Sequence, residues 1–411
     1  MNIFKHILIV LVILIGVNVK SFAQNFSEEE QFHIDSLNTE INDINNQDTN
    51  VVGAYLALAQ ILYVYNFDTL TTLCETAKTI IEDALKNNPS DKTKLVLQGY
   101  LAGALSNIGY VHKNHGDIPK TLEYWNKSLS IQREINDKKG LSSTLNNLGY
   151  IYKSQGDIDK ALEYYQESLD LSSELKDKDG EAFSFNNIGL IYYGQGDIKK
   201  ALEYCNLSLK IRKEIGDKNG TSQTLNNIGV IYDNHGNKDS ALIYFRESLV
   251  IRQEMGNKRG IASSLQHVGK ALCELDSIDK GIKLLKEGLQ ISTKMDDKLW
   301  MGYGADVISS QYLLINKIDS AEHYANLSMQ IAKKINYPLN IKRAAILLSN
   351  IYEKQNKGLK ALKMHKLYIL MRDSVNNEET QKSTAKQQAK YEYEKQKVLD
   401  DAQHDKLIAI E

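Results

Sequence analysis

Apolar and polar positions alternate along this chain at helical spacing, and the alternation repeats itself. Apolar side chains recur at Leu145, Leu148 and Tyr152, then at Leu162, Tyr165 and Leu169. Steps of three and four place each set on one face of a helix. Between the sets stands Gly156-Asp157, a helix stop followed by a residue suited to cap the next helix. Asp177-Lys178-Asp179-Gly180 closes the second run. The pattern predicts helix, tight turn, helix, short loop. The same unit recurs without a gap every 40 residues, in blocks that begin at Ser106, Asn146, Asn186, Asn226 and Gln266. Two weaker copies follow, around Tyr312 to Lys333 and Ser349 to Met371. Gly109, Gly149, Gly189, Gly229 and Gly269 share one register, and Thr121, Ala161, Ala201, Ala241, Gly281, Ala321 and Ala361 share another. Small residues there let two antiparallel helices approach closely. One such unit cannot bury its apolar faces alone, so neighbours must stack.

The second regular copy reads Leu145, Leu148-Gly149 and Tyr152 on its first helix, then Ala161, Tyr165 and Ser168 on its second. In this it resembles the tetratricopeptide repeat (TPR) family. The family unit is about 34 residues, and the longer 40-residue unit here, with its NNIG and IGDKNG-type segments, looks like the kinesin light chain/LGN-like type. The resemblance covers roughly residues 50 to 371 and is strongest over Leu105 to Ser292. In the sixth copy Val307-Ile308-Ser309 stands where Asn-Ile-Gly is expected. The resemblance implies an all-α fold, a right-handed superhelical solenoid of stacked helix-turn-helix units, followed by one polar C-terminal helix. The expected organisation is a signal peptide over 1–24, a helical cap with degenerate repeats over 25–100, and regular repeats over 101–300. Degenerate repeats over 301–375 and a charged helix or coiled-coil linker over 376–411 complete it.

The ends suggest where the protein works. Lys5, the apolar run Ile7 to Val17, and Ser21-Phe22-Ala23-Gln24 have the layout of a secretory signal, with cleavage expected after Ala23. That run is shorter than the ~20 residues of a membrane span. The expected location is therefore exported, periplasmic or membrane-tethered. Residues 376–411 are rich in Lys, Glu, Gln and Ala and lack Gly and Pro, and apolarity rises again at the final residues. The layout resembles the exported part of bacterial TPR membrane sensors, so the leading expectation is an extracytoplasmic sensory region. A free exported scaffold and the regulatory part of an enzyme, such as a histidine kinase or nucleotide cyclase, are the alternatives. Membrane contact would run through an uncleaved N-terminus or a segment after residue 411, and the C-terminal helix is a candidate for self-association.

Composition narrows the chemistry. The 50 basic and 52 acidic residues nearly cancel, leaving no global pull toward nucleic acid. Loops such as Asp137-Lys138-Lys139 and Asn257-Lys258-Arg259 read as solvated charge. Cys74, Cys205 and Cys273 are scattered and odd in number, which argues against a disulfide framework and for buried small hydrophobes. His112 and His115 lack an evident third ligand, and no nucleotide, hydrolase or zincin motif is present. No cofactor, metal or catalytic residue is expected.

What remains is a binding surface. In TPR proteins the first helices form the inner wall of the groove, so the resemblance assigns to it the face opposite the core. On successive first helices that face carries Gly103, Asn107, Tyr110 and Asn114; then Ser143, Asn147, Tyr150 and Ser154; then Phe183, Asn187, Leu190 and Gly194. Gln223, Asn227, Val230 and Asn234 follow, and then Ser263, His267, Lys270 and Glu274. Asn107, Asn147, Asn187 and Asn227 form a ladder whose carboxamides offer donors and an acceptor, matching an extended peptide backbone. The same carboxamides would equally serve to fix the repeat geometry. Asn146, Asn186 and Asn226 are expected toward the edge. The face lacks the Lys/Arg pairs of a carboxylate-clamp adaptor.

Overall fold

The computed structural model describes residues 28–42, 48–62, 67–115, 117–335 and 338–374. The expected signal segment 1–24 and charged helix 376–411 lie outside the described residues. Among the described residues the regular structure is helical throughout. The helices are α1 (Glu28–Asn42), α2 (Asp48–Leu62), α3 (Phe67–Lys86), α4 (Asp91–Asn114), α5 (Ile118–Glu134) and α6 (Lys138–Ser154). Then come α7 (Ile158–Leu175), α8 (Lys178–Gly194), α9 (Ile198–Glu214), α10 (Lys218–Asn234), α11 (Lys238–Glu254) and α12 (Lys258–Glu274). The last are α13 (Ile278–Lys294), α14 (Lys298–Leu314), α15 (Ile318–Lys334), α16 (Pro338–Lys354) and α17 (358–374). Residue 100 lies inside α4 and residue 300 inside α14.

The breaks follow from local chemistry. Gly196 and Gly236 take positive φ (83° and 86°) and end their helices. Asp197 and Asn237 then accept the backbone N–H of Lys200 and Ser240, which caps α9 and α11. The closing loops work the same way. Asp217, Asn257 and Asp297 accept the N–H of Gly220, Gly260 and Trp300 and cap α10, α12 and α14.

The helices divide into two compact units: the described residues up to Ile151 together with Glu163–Asp177, and Tyr152–Leu162 together with the residues from Lys178 onward. Each is a run of antiparallel pairs. In unit 1 the glycines of the first helices lie directly beneath rings of the second: Gly109 beneath Trp125 and Gly149 beneath Tyr165. In unit 2 Gly189 meets Cys205, Gly229 meets Phe245 and Gly269 meets Leu285 and the carbonyl of Gly281. Every one of these partners is buried, which is why apolar residues 16 positions after each glycine form the core. Tyr152, expected in the core, is only half-buried, with the Lys160 ammonium 4.1 Å from its ring centroid. The three cysteines are free and buried.

A second register ties each pair together. In unit 1, Ser128 Oγ donates to Ala102 O (2.8 Å) and Ser168 Oγ to Ser142 O (3.0 Å). In unit 2, Ser208 Oγ donates to Ala182 O (2.7 Å) and Ser248 Oγ to Ser222 O (2.8 Å). A net buried hydrogen bond contributes about 0.5–1.5 kcal/mol, so Ser208→Ala is expected to lower stability by that amount, read as a fall in the urea midpoint. An unchanged midpoint would mean that this bond contributes nothing net. At the same register Gly288 leaves room for no side chain, since a Cβ would lie 2.9 Å from Ala262 O.

Candidate functional site

In unit 1 the first helices α2, α4 and α6 stand side by side and line an open cavity of about 430 Å³. Its lining includes Gly53, Leu56 and Ala57 of α2, Gly99, Tyr100, Gly103, Ser106 and Asn107 of α4, and Gly140, Ser143 and Thr144 of α6. Gln132, from the last turn of α5, and Asp137 complete it. Four glycines line it, and a Cβ on Gly103 would meet no atom within 4 Å. Gln132 is buried, and its Oε1 has no hydrogen-bond partner among the described residues.

Three of the expected residues, Gly103, Asn107 and Ser143, line this cavity. Asn107 also lies against the Cys74 thiol, which burial pushes up to about 12 against the lowering effect of that contact. Tyr110 and Tyr150 do not line it. They flank Lys113, whose ammonium sits 5.1 and 4.8 Å from their ring centroids and bridges α4 to α6. Asn114 donates to the carbonyl of Tyr110 at 3.1 Å. Asn147 is half-buried and makes no hydrogen bond among the described residues. Asn146 is not at an edge. It is buried, and its Nδ2 donates to Ser168 Oγ at 2.7 Å.

In unit 2 the first helices carry a different set. Phe183 and Gln223 are exposed and Leu190 half-buried, with Gln223 Nε2 donating to Asn219 Oδ1 at 3.3 Å. Asn227 Nδ2 donates to Asn186 Oδ1 at 3.0 Å and Asn234 donates to the Tyr193 hydroxyl, so both carboxamides link α10 to α8. Asn187 is buried, and its Nδ2 has no partner among the described residues; Asn226 Oδ1 is buried in the same state. The asparagines therefore fall into two groups. Asn114, Asn227 and Asn234 are engaged within the protein, while Asn147 and Asn187 are left with hydrogen-bonding capacity.

Toward α14 the face becomes aromatic and charged. His267 stacks on Phe245 with centroids 4.9 Å apart and meets Trp300 edge-on at 5.8 Å. Lys270 pairs with Asp233 (2.7 Å) and Glu274 (3.2 Å), and Lys238 pairs with the same two carboxylates at 2.6 and 2.8 Å. Burial alone would raise the Asp233 carboxyl, but hydrogen bonds from Lys238 and Lys270 hold it below the usual range. Sequence reasoning reached His267 and Lys270 but not Asp233, Trp300 or Tyr303, nor the second-helix residues Gln132 and Arg252. Those two share one register, 120 residues apart, and Arg212 lies between them in that register; this variation was the available signal.

Burial, with the fields of Arg252 and Lys270, depresses the His267 imidazole to about 4. Burial raises the Asp306 carboxyl to about 6, against Ser328 and Arg343, which lower it. The two act oppositely on stability. As pH falls from 6.5 toward 4 the unfolded chain protonates a histidine that the folded state keeps neutral, so the folded state loses stability. From about 6 downward the folded state takes up a proton on Asp306 before the unfolded chain does, so stability is gained. His267→Asn removes only the first effect. Its melting temperature at pH 5 relative to pH 7 is expected to be higher than that of the wild type; an identical difference would contradict a buried neutral His267.

Among the described residues no group of three His, Cys, Asp or Glu side chains could hold a metal ion, and no helix is long and apolar enough to cross a membrane. The family model for the tetratricopeptide repeat matches residues 100–174 and 180–254. No curated protein matches the chain. Among solved structures, the apo form of the quorum sensor NprR from B. thuringiensis aligns with a TM-score of 0.61 at 13% identity, covering 82% of this chain and 92% of that one. Aspartyl phosphate phosphatase F from Bacillus subtilis gives 0.58 at 12% identity, over 87% and 88% of the two chains. A Rap protein complexed with competence and sporulation factor gives 0.54 at 12%, over 85% and 99%. At these identities the likeness concerns the fold alone.

Proposed function

We propose that this chain, a member of the tetratricopeptide-repeat family, uses the faces of its first helices to bind an extended polypeptide. The observation that carries this reading is the cavity of about 430 Å³ between α2, α4 and α6, walled by Gly53, Gly99, Gly103 and Gly140. Glycine walls admit close approach of another backbone, and the unpartnered Gln132 Oε1 offers that backbone an acceptor. Buried polar atoms without partners are uncommon and call for an explanation; a bound main chain, with one donor and one acceptor per residue, supplies one. A quorum sensor, a Rap protein complexed with competence and sporulation factor, and the Rap conjugation gene regulator of the plasmid pLS20 in complex with the Phr* peptide share this fold, and that likeness favours a peptide ligand.

The test uses Gly103→Trp. A side chain there enters open space, so helicity is expected to be unchanged while the cavity is filled. Heptapeptides selected by the wild type from an immobilised random library are expected to lose binding to this variant at least tenfold. Retained binding, or a library that yields no peptide at all, would remove the basis of the reading. Asn147→Ala is expected to weaken the same peptides by about 0.5–1.5 kcal/mol for the hydrogen bond lost, measured by calorimetry.

The finer reading places this scaffold outside the cytoplasm as the sensory region of a signalling protein. The basic, apolar and small-residue layout of residues 5–24 favours it. An immunoblot of fractionated cells tests it: a band confined to the cytoplasmic fraction would oppose an exported location.

A further inference from the structure

The charge pattern at one register of the second helices points to the chemistry of the ligand. Arg252 lies in the last turn of α11 with its side chain only 7% exposed. Its Nη1 donates to Gly260 O (3.0 Å), Ser263 Oγ (2.7 Å) and Ser264 Oγ (2.9 Å), all neutral. Nε and Nη2 have no acceptor among the described residues, and they are not among the enclosed, unpartnered atoms. Together they form the edge of a guanidinium that takes a carboxylate through two parallel hydrogen bonds. Burying a cation without a counter-charge costs several kcal/mol.

The chain contains its own control. Arg212 occupies the same register 40 residues earlier, is equally buried, and pairs through Nη1 with Asp217 Oδ2 at 2.6 Å. Asp217 is the N-cap of the following helix. For Arg252 that N-cap is Asn257, which still accepts the Gly260 N–H at 2.9 Å but carries no charge. One carboxylate has been removed and the capping function kept. The register also reaches the first-helix face. In unit 1 Gln132, Asp137, Gly140, Ser143 and Thr144 occupy the places of Arg252, Asn257, Gly260, Ser263 and Ser264, and all five line the cavity. Ser263 itself lies one turn from His267, whose ring feels the Arg252 charge.

We infer that Arg252 is a carboxylate-binding site on the first-helix face of unit 2. Resting on the reading proposed above, the carboxylate is one carried by the bound polypeptide, either its C-terminus or an Asp or Glu side chain. This differs from a Lys/Arg pair on first helices, because the cation reaches through from a second helix. The neighbouring Lys270 is already neutralised by Asp233 and Glu274, so it does not compete for the ligand.

The test starts with acetate as the probe. Thermal unfolding of the wild type in sodium acetate, against sodium chloride at equal ionic strength and pH 7, is expected to rise by roughly 2–4 °C. Asn257→Asp restores the internal carboxylate seen at Asp217; it is expected to be more stable than the wild type in chloride and to gain nothing further from acetate. Equal acetate shifts in the two proteins would overturn the site. Arg252→Gln should also lose the response, but Asn257→Asp keeps the test decisive if that variant fails to fold. Random heptapeptide arrays printed with free and with amidated C-termini then identify the source. Binding that requires the free terminus assigns the C-terminal carboxylate, and enrichment of Asp or Glu on both arrays assigns a side chain. Either preference should fall about tenfold in Asn257→Asp. An acetate response without any bound peptide would keep the carboxylate site and remove the polypeptide reading.

Discussion

Trp125→Ala is expected to destabilise unit 1 by about 3–5 kcal/mol, the range for removing a large aromatic from a packed core. Trp125 is the largest fully buried side chain described, 1% exposed, and its indole lies on the backbone of α4 at Gly109. Its Nε1 also donates to Ser106 O at 2.9 Å. The cavity left behind cannot close by collapse, because α4 is held from the other side by the core around Leu58, Leu73, Ile81, Leu97 and Ile108. Stability in stacked repeats is close to a sum of repeat and interface contributions, so the loss should be local. Hydrogen exchange is expected to accelerate first in α4 and α5, and the urea midpoint to fall. A loss below about 1 kcal/mol would contradict the described burial.

Gly281→Val is the second large effect, expected at about 3 kcal/mol or more, the upper end for forcing volume into a packed interface. A Cβ at Gly281 would stand 2.5 Å from Gly269 O and 2.9 Å from Cys273 N, and against Cys273 Sγ. Two of these are backbone atoms, which cannot turn aside. The mirror position is as tight, with a Cβ at Gly269 only 2.8 Å from Gly281 O. Gly194→Ala provides the contrast: its Cβ meets nothing within 4 Å, so the substitution is expected to stabilise by about 0.5–1 kcal/mol through helix propensity alone. Urea titration of both variants reads the comparison. A Gly281→Val protein as stable as the wild type would mean that α12 and α13 are not in backbone contact.

The helix pairs were legible because their causes are local. The 40-residue period, the small-residue registers and the Gly-Asp stops each act within a few residues of where they stand, and the helices α5 to α15 follow them. The binding face was only partly legible. Helical spacing assigned Asn107 and Ser143 to one face, and both line the unit 1 cavity. The same spacing treats Asn147, Asn187 and Asn227 alike, yet Asn227 is bonded to Asn186 of the preceding first helix while Asn187 has an idle Nδ2. Sequence alignment of the copies showed Gly281 as one small residue among alanines; only the approach of α12 to α13 makes it irreplaceable.

By itself, then, the sequence determined the fold class and the pairing of the regular helices, because periodicity and turn chemistry are properties of adjacent residues. The tertiary structure decided which polar groups are left unused. Whether Gln132 Oε1, Asn187 Nδ2 or the free edge of Arg252 finds an acceptor or donor depends on distances between helices far apart in the chain. A single exchange of Asp for Asn at position 257 changes the charge balance of a guanidinium five residues away only because the loop folds the two together.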